Sequence, residues 1–177
     1  QRVCELAMCL AKELGIDDKD ELEAIRYGAL LHDIGKIGVS DMIITKPTRL
    51  TDEEMRIMRK HPEIGFKIVG TIPGCAAAAE VVLAHHERWD GSGYPLGLAG
   101  KEICRGARIF SVVDTYDALR SERHYQKGQP LDEILKEINR CSGSQFDPEV
   151  VKAFNRCHPQ INKIFLTFSH RIEHGDV

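Results

Sequence analysis

Long apolar runs are missing from this chain, and none approaches the roughly 20 residues that a bilayer-spanning helix needs. No secretory leader is expected at this start either, because Gln1-Arg2 opens directly into an amphipathic pattern with no initiator Met. These two absences lead us to expect a cytoplasmic protein, and an excerpt of something longer. The six cysteines (4, 9, 75, 104, 141 and 157) include no Cys-x-x-Cys pair, so reduced thiols are expected in place of a disulfide framework or a zinc site. No basic excess exists: 24 Lys and Arg face 27 Asp and Glu, for a net charge of -3. Broad binding to a nucleic-acid backbone is therefore not expected. A small anionic substrate is compatible, since only the field inside a pocket must be positive.

What is present fits one folded domain of 177 residues, with 42% hydrophobic and 29% charged side chains. Val3, Leu6, Ala7, Leu10 and Leu14 keep helical spacing up to a stop at Gly15. A second helix is predicted from Lys19 through Leu22, Ile25, Ala29 and Leu30 into His32-Asp33, after which Gly35 and Gly38 should break regular structure. Thr51 and Glu54 read as a capping box, and Pro62 suits the first turn of a helix ending near Gly70. Further helices are expected from Ala76 to about Glu87, Ala107 to Leu119, Asp132 to Arg140, and Pro148 to Cys157, the last capped by Asp147. Residues 88–100 read as an ordered, glycine-rich loop. Ile164 to Ser169 fits either a short strand or a further helical turn. With alternating patterns scarce, the fold class is an all-α bundle.

Four histidines stand out by neighbourhood: His32, His61, His85 and His86. Beside them are the carboxylates of Asp33 and Asp114, all near predicted helix ends or within an apolar helix. Taken singly, each has a plain structural explanation, such as a hydrogen-bonded core histidine or a solvated helix end. Asp114 is the hardest to explain so, because Ile109, Val112 and Val113 surround it and a buried carboxylate must be neutral, paired or metal-bound. Together they favour a metal centre. Imidazole with carboxylate suits Fe, Mn or Zn better than Ca or Mg. The two oxygens of Asp33 could serve two ions at once, a spacing of about 3.5–4 Å in two-metal hydrolases.

Five strings in order, LLHDIGKIG (30–38), KHPEIGFKIV (60–69), HHERWDGSGYP (85–95), ARIFSVVDTYDAL (107–119) and SGSQFDPEVVKAF (142–154), resemble the HD-GYP family over residues 2–155. That resemblance implies an HD-type helical bundle with an ordered GYP loop, spanning residues 1–157, and a C-terminal extension over 158–177. It implies a phosphodiesterase that hydrolyses cyclic di-GMP to pGpG and onward to GMP with two, sometimes three, Fe or Mn ions. His32 and Asp114 would bind one ion, His61, His85 and His86 the other, and Asp33 would bridge them. Metal-activated hydroxide would attack phosphorus while Lys36 meets a phosphate oxygen. Gly93, Tyr94 and Pro95 match the signature loop at the pocket's lip, turned by Asp90 and Gly91, and Arg123 matches a substrate contact. Glu87 either orients a ligand imidazole or lies at the surface.

Two departures accompany the resemblance. The family's first-helix histidine falls just before the Arg2-Val3 pair, ahead of the present first residue. Gln126 stands where the family has Arg or Lys, with Lys127 a candidate replacement for its charge. The alternatives are a phosphodiesterase for another nucleotide, including cyclic GMP-AMP, or a catalytically silent interaction module. An upstream sensor or receiver domain and a homodimer are further expectations.

Overall fold

The computed structural model describes residues 1–121 and 128–174, with side chains through residue 169. Its helices are α1 (Arg2–Glu13), α2 (Lys19–Leu31), α3 (Asp41–Ile44), α4 (Asp52–Met58), α5 (His61–Val69), α6 (Ala76–Ala84), α7 (Arg105–Arg120), α8 (Leu131–Arg140) and α9 (Pro148–His174). No strand occurs among the described residues, where only the isolated bridges Asp90–Ala99 and Ser142–Phe146 pair extended backbone. The all-α expectation holds.

α1 buries Cys4, Leu6, Ala7, Met8, Leu10 and Ala11, a little over half of its circumference. It can do so because α2, α7 and α9 all pack around it. Their side chains, with Ile134 and Ile138 of α8, form the main core. A smaller core joins α5 to α6 through Val69, Ala78, Ala79 and Val82. Since α2 packs on both α1 and α6, its last turn lies where the two cores meet. All six cysteines are free thiols.

The predicted helix boundaries mostly survive, with reasons for each change. Thr51 and Glu54 form the reciprocal capping box, and Asp147 caps α9 by accepting from Glu149 N–H at 2.8 Å. Gly35 and Gly38 do not break regular structure; they lie in a 3-10 turn over Ile34–Gly38. α6 ends at Ala84, earlier than its composition suggests, because Glu87 N–H turns back to Ala84 O at 2.9 Å and the chain beyond pairs elsewhere.

α9 runs far past Cys157. Pro159 lies inside it and cannot donate to Asn155 O, an omission that ordinarily kinks a helix. His158 Nδ1 donates to that carbonyl instead, at 2.9 Å. Ile161 and Phe165 are buried, and Phe165 meets the Tyr116 ring edge-on at 5.9 Å. Tertiary packing thus makes residues 164–169 helical, where sequence alone left strand and helix equal. No helix among the described residues is long and apolar enough to cross a membrane.

Candidate metal centre

Four helices deliver the predicted site. His32 follows the last residue of α2, His61 opens α5, His85 and His86 follow α6, and Asp114 lies within α7. A close backbone crossing brings the first two together. The 3-10 turn after Asp33 packs against the start of α5 so tightly that a Cβ on Gly35 would lie 1.9 Å from His61 O and 2.5 Å from Gly65 N. Only glycine permits that approach.

Three of the histidines are oriented by one device. His32 Nδ1 donates to Ala29 O at 2.9 Å, His61 Nδ1 to Met58 O at 2.8 Å, and His85 Nδ1 to Val82 O at 2.6 Å. Each carbonyl lies three residues back, at the end of a turn that cannot use it internally. With Nδ1 carrying the proton, the neutral rings of His61 and His85 present Nε2 as a lone pair, the arrangement that ligand histidines require. At His32 burial opposes the charge, but the Asp33 carboxylate facing Nε2 raises the pKa. Phe110, fully buried on α7, packs its ring 4.7 Å from His32 and 5.9 Å from His85.

The free nitrogens converge. His61 Nε2 and His85 Nε2 are 3.1 Å apart, in rings only 2% and 3% exposed. His86 stands beside them, its ring centroid 4.0 Å from His85 and 5.1 Å from His61. Ligand atoms of His61, His85 and His86 all lie within 4.8 Å of one another, a cluster that could hold a metal ion. Asp33 faces two histidines with two different oxygens: Oδ1 is 3.6 Å from His61 Nε2, and Oδ2 is 3.4 Å from His32 Nε2.

Electrostatics agree with that use. Burial pushes His85 well below the ordinary imidazole range, reinforced by His86. Burial and the neighbouring His61 lower His86 to about 4, and burial lowers His61. All three are therefore neutral donors near neutral pH. Burial opposes the charge on Asp33, but hydrogen bonds with His32 and Lys36 overcome it and hold the carboxyl well below the usual range. Two lone pairs that face each other across 3.1 Å, beside an ionised carboxylate, repel unless a cation lies among them. The donor set fits a divalent first-row transition ion.

Asp114 lines a cavity of about 250 Å³ together with His85, His86, Gly93 and Tyr94, and its charge is felt at His32. Tyr94 stacks on His86 at 4.7 Å with 23° between the rings, and its N–H donates to His86 O at 3.3 Å. Pro95 follows it, away from the lining. Gly93 passes so close to Glu87 and Arg88 that an added Cβ would lie 2.4 Å from Arg88 N. Asp90 Oδ1 accepts from Ser92 N–H at 3.0 Å and from its hydroxyl at 2.6 Å, while Gly91 takes a φ of 79°. Both shape the turn as expected. Lys36 is not part of the cavity wall; its Nζ lies 2.7 Å from Asp33 Oδ2. Arg123, Gln126 and Lys127 lie outside the described residues.

Sequence reasoning missed three features. Glu87 is neither a ligand-orienting group nor a surface one. It is 4% exposed, and its carboxylate accepts from Leu96 N–H at 2.7 Å, Gly97 N–H at 3.1 Å and Leu98 N–H at 3.1 Å, which ties the signature loop to the histidine pair. The turn at Ser144-Gln145 clamps the same loop, accepting from Asp90 N–H at 2.8 Å and Trp89 N–H at 3.2 Å. Arg59, two residues ahead of His61, lines the cavity; its closeness to that histidine was the available signal.

Known proteins resemble this arrangement. A family model described as HD domain matches residues 1–150. A cyclic di-GMP phosphodiesterase of Thermotoga maritima is 44% identical over 167 residues, covering 93% of this chain and 45% of that protein. The cyclic di-GMP phosphodiesterase response regulator RpfG of Xanthomonas campestris is 39% identical over 171 residues, covering 96% of this chain and 45% of its own length. The chain thus spans a little under half of these relatives. A crystal structure of a cyclic GMP-AMP specific phosphodiesterase from V. cholerae superposes with a TM-score of 0.72 at 19% identity, over 94% of this chain and 44% of that one. At such identity the likeness is one of fold. Family match, motif order and converging histidines agree: the chain belongs to the HD domain family, in its HD-GYP branch.

Proposed function

We propose that this chain is the catalytic part of a phosphodiesterase that hydrolyses cyclic di-GMP to linear pGpG and onward to GMP. Its cofactor would be a pair of divalent iron or manganese ions. The observation that carries this reading is the approach of His32 and His61 Nε2 to the two different oxygens of Asp33, with His85 Nε2 set against His61 Nε2. The names of the Thermotoga and Xanthomonas relatives support the substrate class.

His61, His85 and His86 would hold one ion, His32 and Asp114 the other, and Asp33 would serve both. Bound there, the ions would acidify a water near neutral pH and stabilise negative charge on the phosphate oxygens. The protein does the remaining work. Carbonyls behind His32, His61 and His85 keep each ring turned inward. Lys36 keeps Asp33 ionised through its 2.7 Å hydrogen bond and adds positive charge beside the reacting phosphate. Tyr94, held flat on His86, forms part of the cavity wall, and Gly93 lets the loop approach closely. Arg123 joins this reading as a substrate contact. The catalytic unit comprises residues 1–157 together with the continuation of α9, whose Ile161 and Phe165 lie in the main core, and a cytoplasmic enzyme with an upstream sensor or receiver domain completes the proposal. A homodimer is compatible with it.

The deciding experiment is turnover of cyclic di-GMP and of cyclic GMP-AMP by anaerobically purified protein, with iron and manganese measured on the same sample. Faster loss of cyclic di-GMP, with pGpG formed by metal-loaded protein, is expected. Preferential turnover of cyclic GMP-AMP would move the assignment to that substrate. Metal-loaded protein that binds a cyclic dinucleotide without cleaving it would make the domain a silent module.

A further inference from the structure

Three cations border the centre among the described residues, and two of them already face carboxylates. Lys36 Nζ is 2.7 Å from Asp33 Oδ2, and Arg88 Nε is 3.7 Å from Asp90 Oδ1 while donating to Ser92 Oγ at 2.9 Å. Arg59 differs from both. Among the described residues it has no carboxylate within ion-pair distance, although it lines the same cavity as His85, His86 and Asp114. Its guanidinium lies 5.1 Å from the centroid of the Tyr94 ring, and that ring stacks on His86. An aromatic support of this kind holds a long side chain extended without using up its N–H donors.

The cavity, about 250 Å³, is too small to enclose a whole cyclic dinucleotide, since even drug-sized ligands occupy pockets of roughly 300–1,000 Å³. Part of such a substrate must extend past the rim. A cyclic dinucleotide carries two phosphodiesters in one ring, each with one negative charge. When one sits among the histidines, the other stands across the macrocycle and needs a countercharge of its own. Arg59 is exposed and, among the described residues, has no acidic partner within ion-pair distance at that rim. A planar guanidinium also matches the two non-bridging oxygens of a phosphodiester.

Resting on the phosphodiesterase reading above, we propose that Arg59 binds the second, non-reacting phosphate of a cyclic dinucleotide. It acts on affinity for the intact two-phosphate ring, and takes no part in breaking the bond.

The test compares the manganese-loaded wild type with Arg59→Gln and Arg59→Lys on cyclic di-GMP and on bis(p-nitrophenyl) phosphate, which has one phosphodiester only. For Arg59→Gln, KM for cyclic di-GMP should rise roughly tenfold to a hundredfold, the usual consequence of losing a hydrogen bond to a charged group. Its kcat should change little, and hydrolysis of the single phosphodiester and metal content should match the wild type. Arg59→Lys should recover part of the affinity, and added salt should raise KM more steeply for the wild type than for the glutamine variant. An unchanged KM in Arg59→Gln overturns the assignment, as does a parallel loss on both substrates, which would put Arg59 at the reacting phosphate. Wild-type protein that cleaves the single phosphodiester but not cyclic di-GMP overturns the substrate reading, and this assignment with it.

Discussion

His61 and His85 point their Nε2 atoms at each other across 3.1 Å, although 24 positions separate them in the chain. Both rings have already committed Nδ1–H to a backbone carbonyl, so neither can donate to the other while neutral. This is a pair of acceptors waiting for a cation. His85→Ala should therefore remove mainly one ion per chain. Asp33→Ala, which touches both His32 and His61, should disturb every bound ion. Metal analysis of the purified variants decides; full metal content in Asp33→Ala would end its assignment to both ions.

Metal should also stabilise the fold, because the donor cluster exists only when α2, α5 and α6 are in place. A ligand at a free concentration of 100 times its Kd adds about 2.7 kcal/mol, which for a domain of this size is a rise of several degrees in Tm. Manganese should raise Tm in a concentration-dependent way, and EDTA should reverse it. A melting curve indifferent to both would argue that the histidines are structural.

Gly35→Ala should be far more damaging than Gly38→Ala. At Gly35 the new methyl would meet backbone, His61 O at 1.9 Å and Gly65 N at 2.5 Å, whereas at Gly38 it meets the tip of Ile64 at 2.8 Å. Side chains can move aside, but two crossing backbones cannot without separating Asp33 from His61. Overpacking ordinarily costs about 1–3 kcal/mol, and the Gly35 variant should reach or pass the upper value while losing metal. Denaturant melts with metal analysis test it, and equal stability of the two variants would contradict the close crossing.

Glu87→Ala should leave the N–H groups of Leu96, Gly97 and Leu98 without their acceptor. Each orphaned buried donor costs about 1–3 kcal/mol, less where water can enter. The expected outcome is a lower Tm and lost turnover with metal retained, because the Glu87 carboxylate is hydrogen-bonded to the loop backbone and not to a ligand histidine. If metal were lost along with activity, Glu87 would be supporting a ligand histidine after all.

Asp147→Ala should be costly for a different reason. The Asp147 side chain is 1% exposed and 2.6 Å from Arg108 Nη1, and it also caps α9. Removing one partner of a buried ion pair costs about 3–5 kcal/mol. Chemical denaturation should show that loss, with Asp147→Asn intermediate because it keeps the cap and drops the charge.

By itself the sequence determined the helical class, the capping box at Thr51, the cap at Asp147, and the identity of the ligand candidates. Local physics suffices there: apolar residues at helical spacing need one buried face, and a cap needs only its own first turn. The motifs at 30–38 and 85–95 likewise announced histidine and carboxylate chemistry before any geometry was known. Only the tertiary structure decided the rest. Helix α9 continues through Pro159 because burial of Ile161 and Phe165 outweighs a missing hydrogen bond, and α6 stops early because Glu87 and the Ser144-Gln145 turn capture the chain beyond it. Which charges remain available was equally invisible in the string of residues. Lys36 looked free and is paired with Asp33; Arg59 looked ordinary and faces the cavity without an acidic partner among the described residues. Sequence names the charged groups, but whether two of them neutralise each other depends on distances of a few ångströms between segments that only folding brings together.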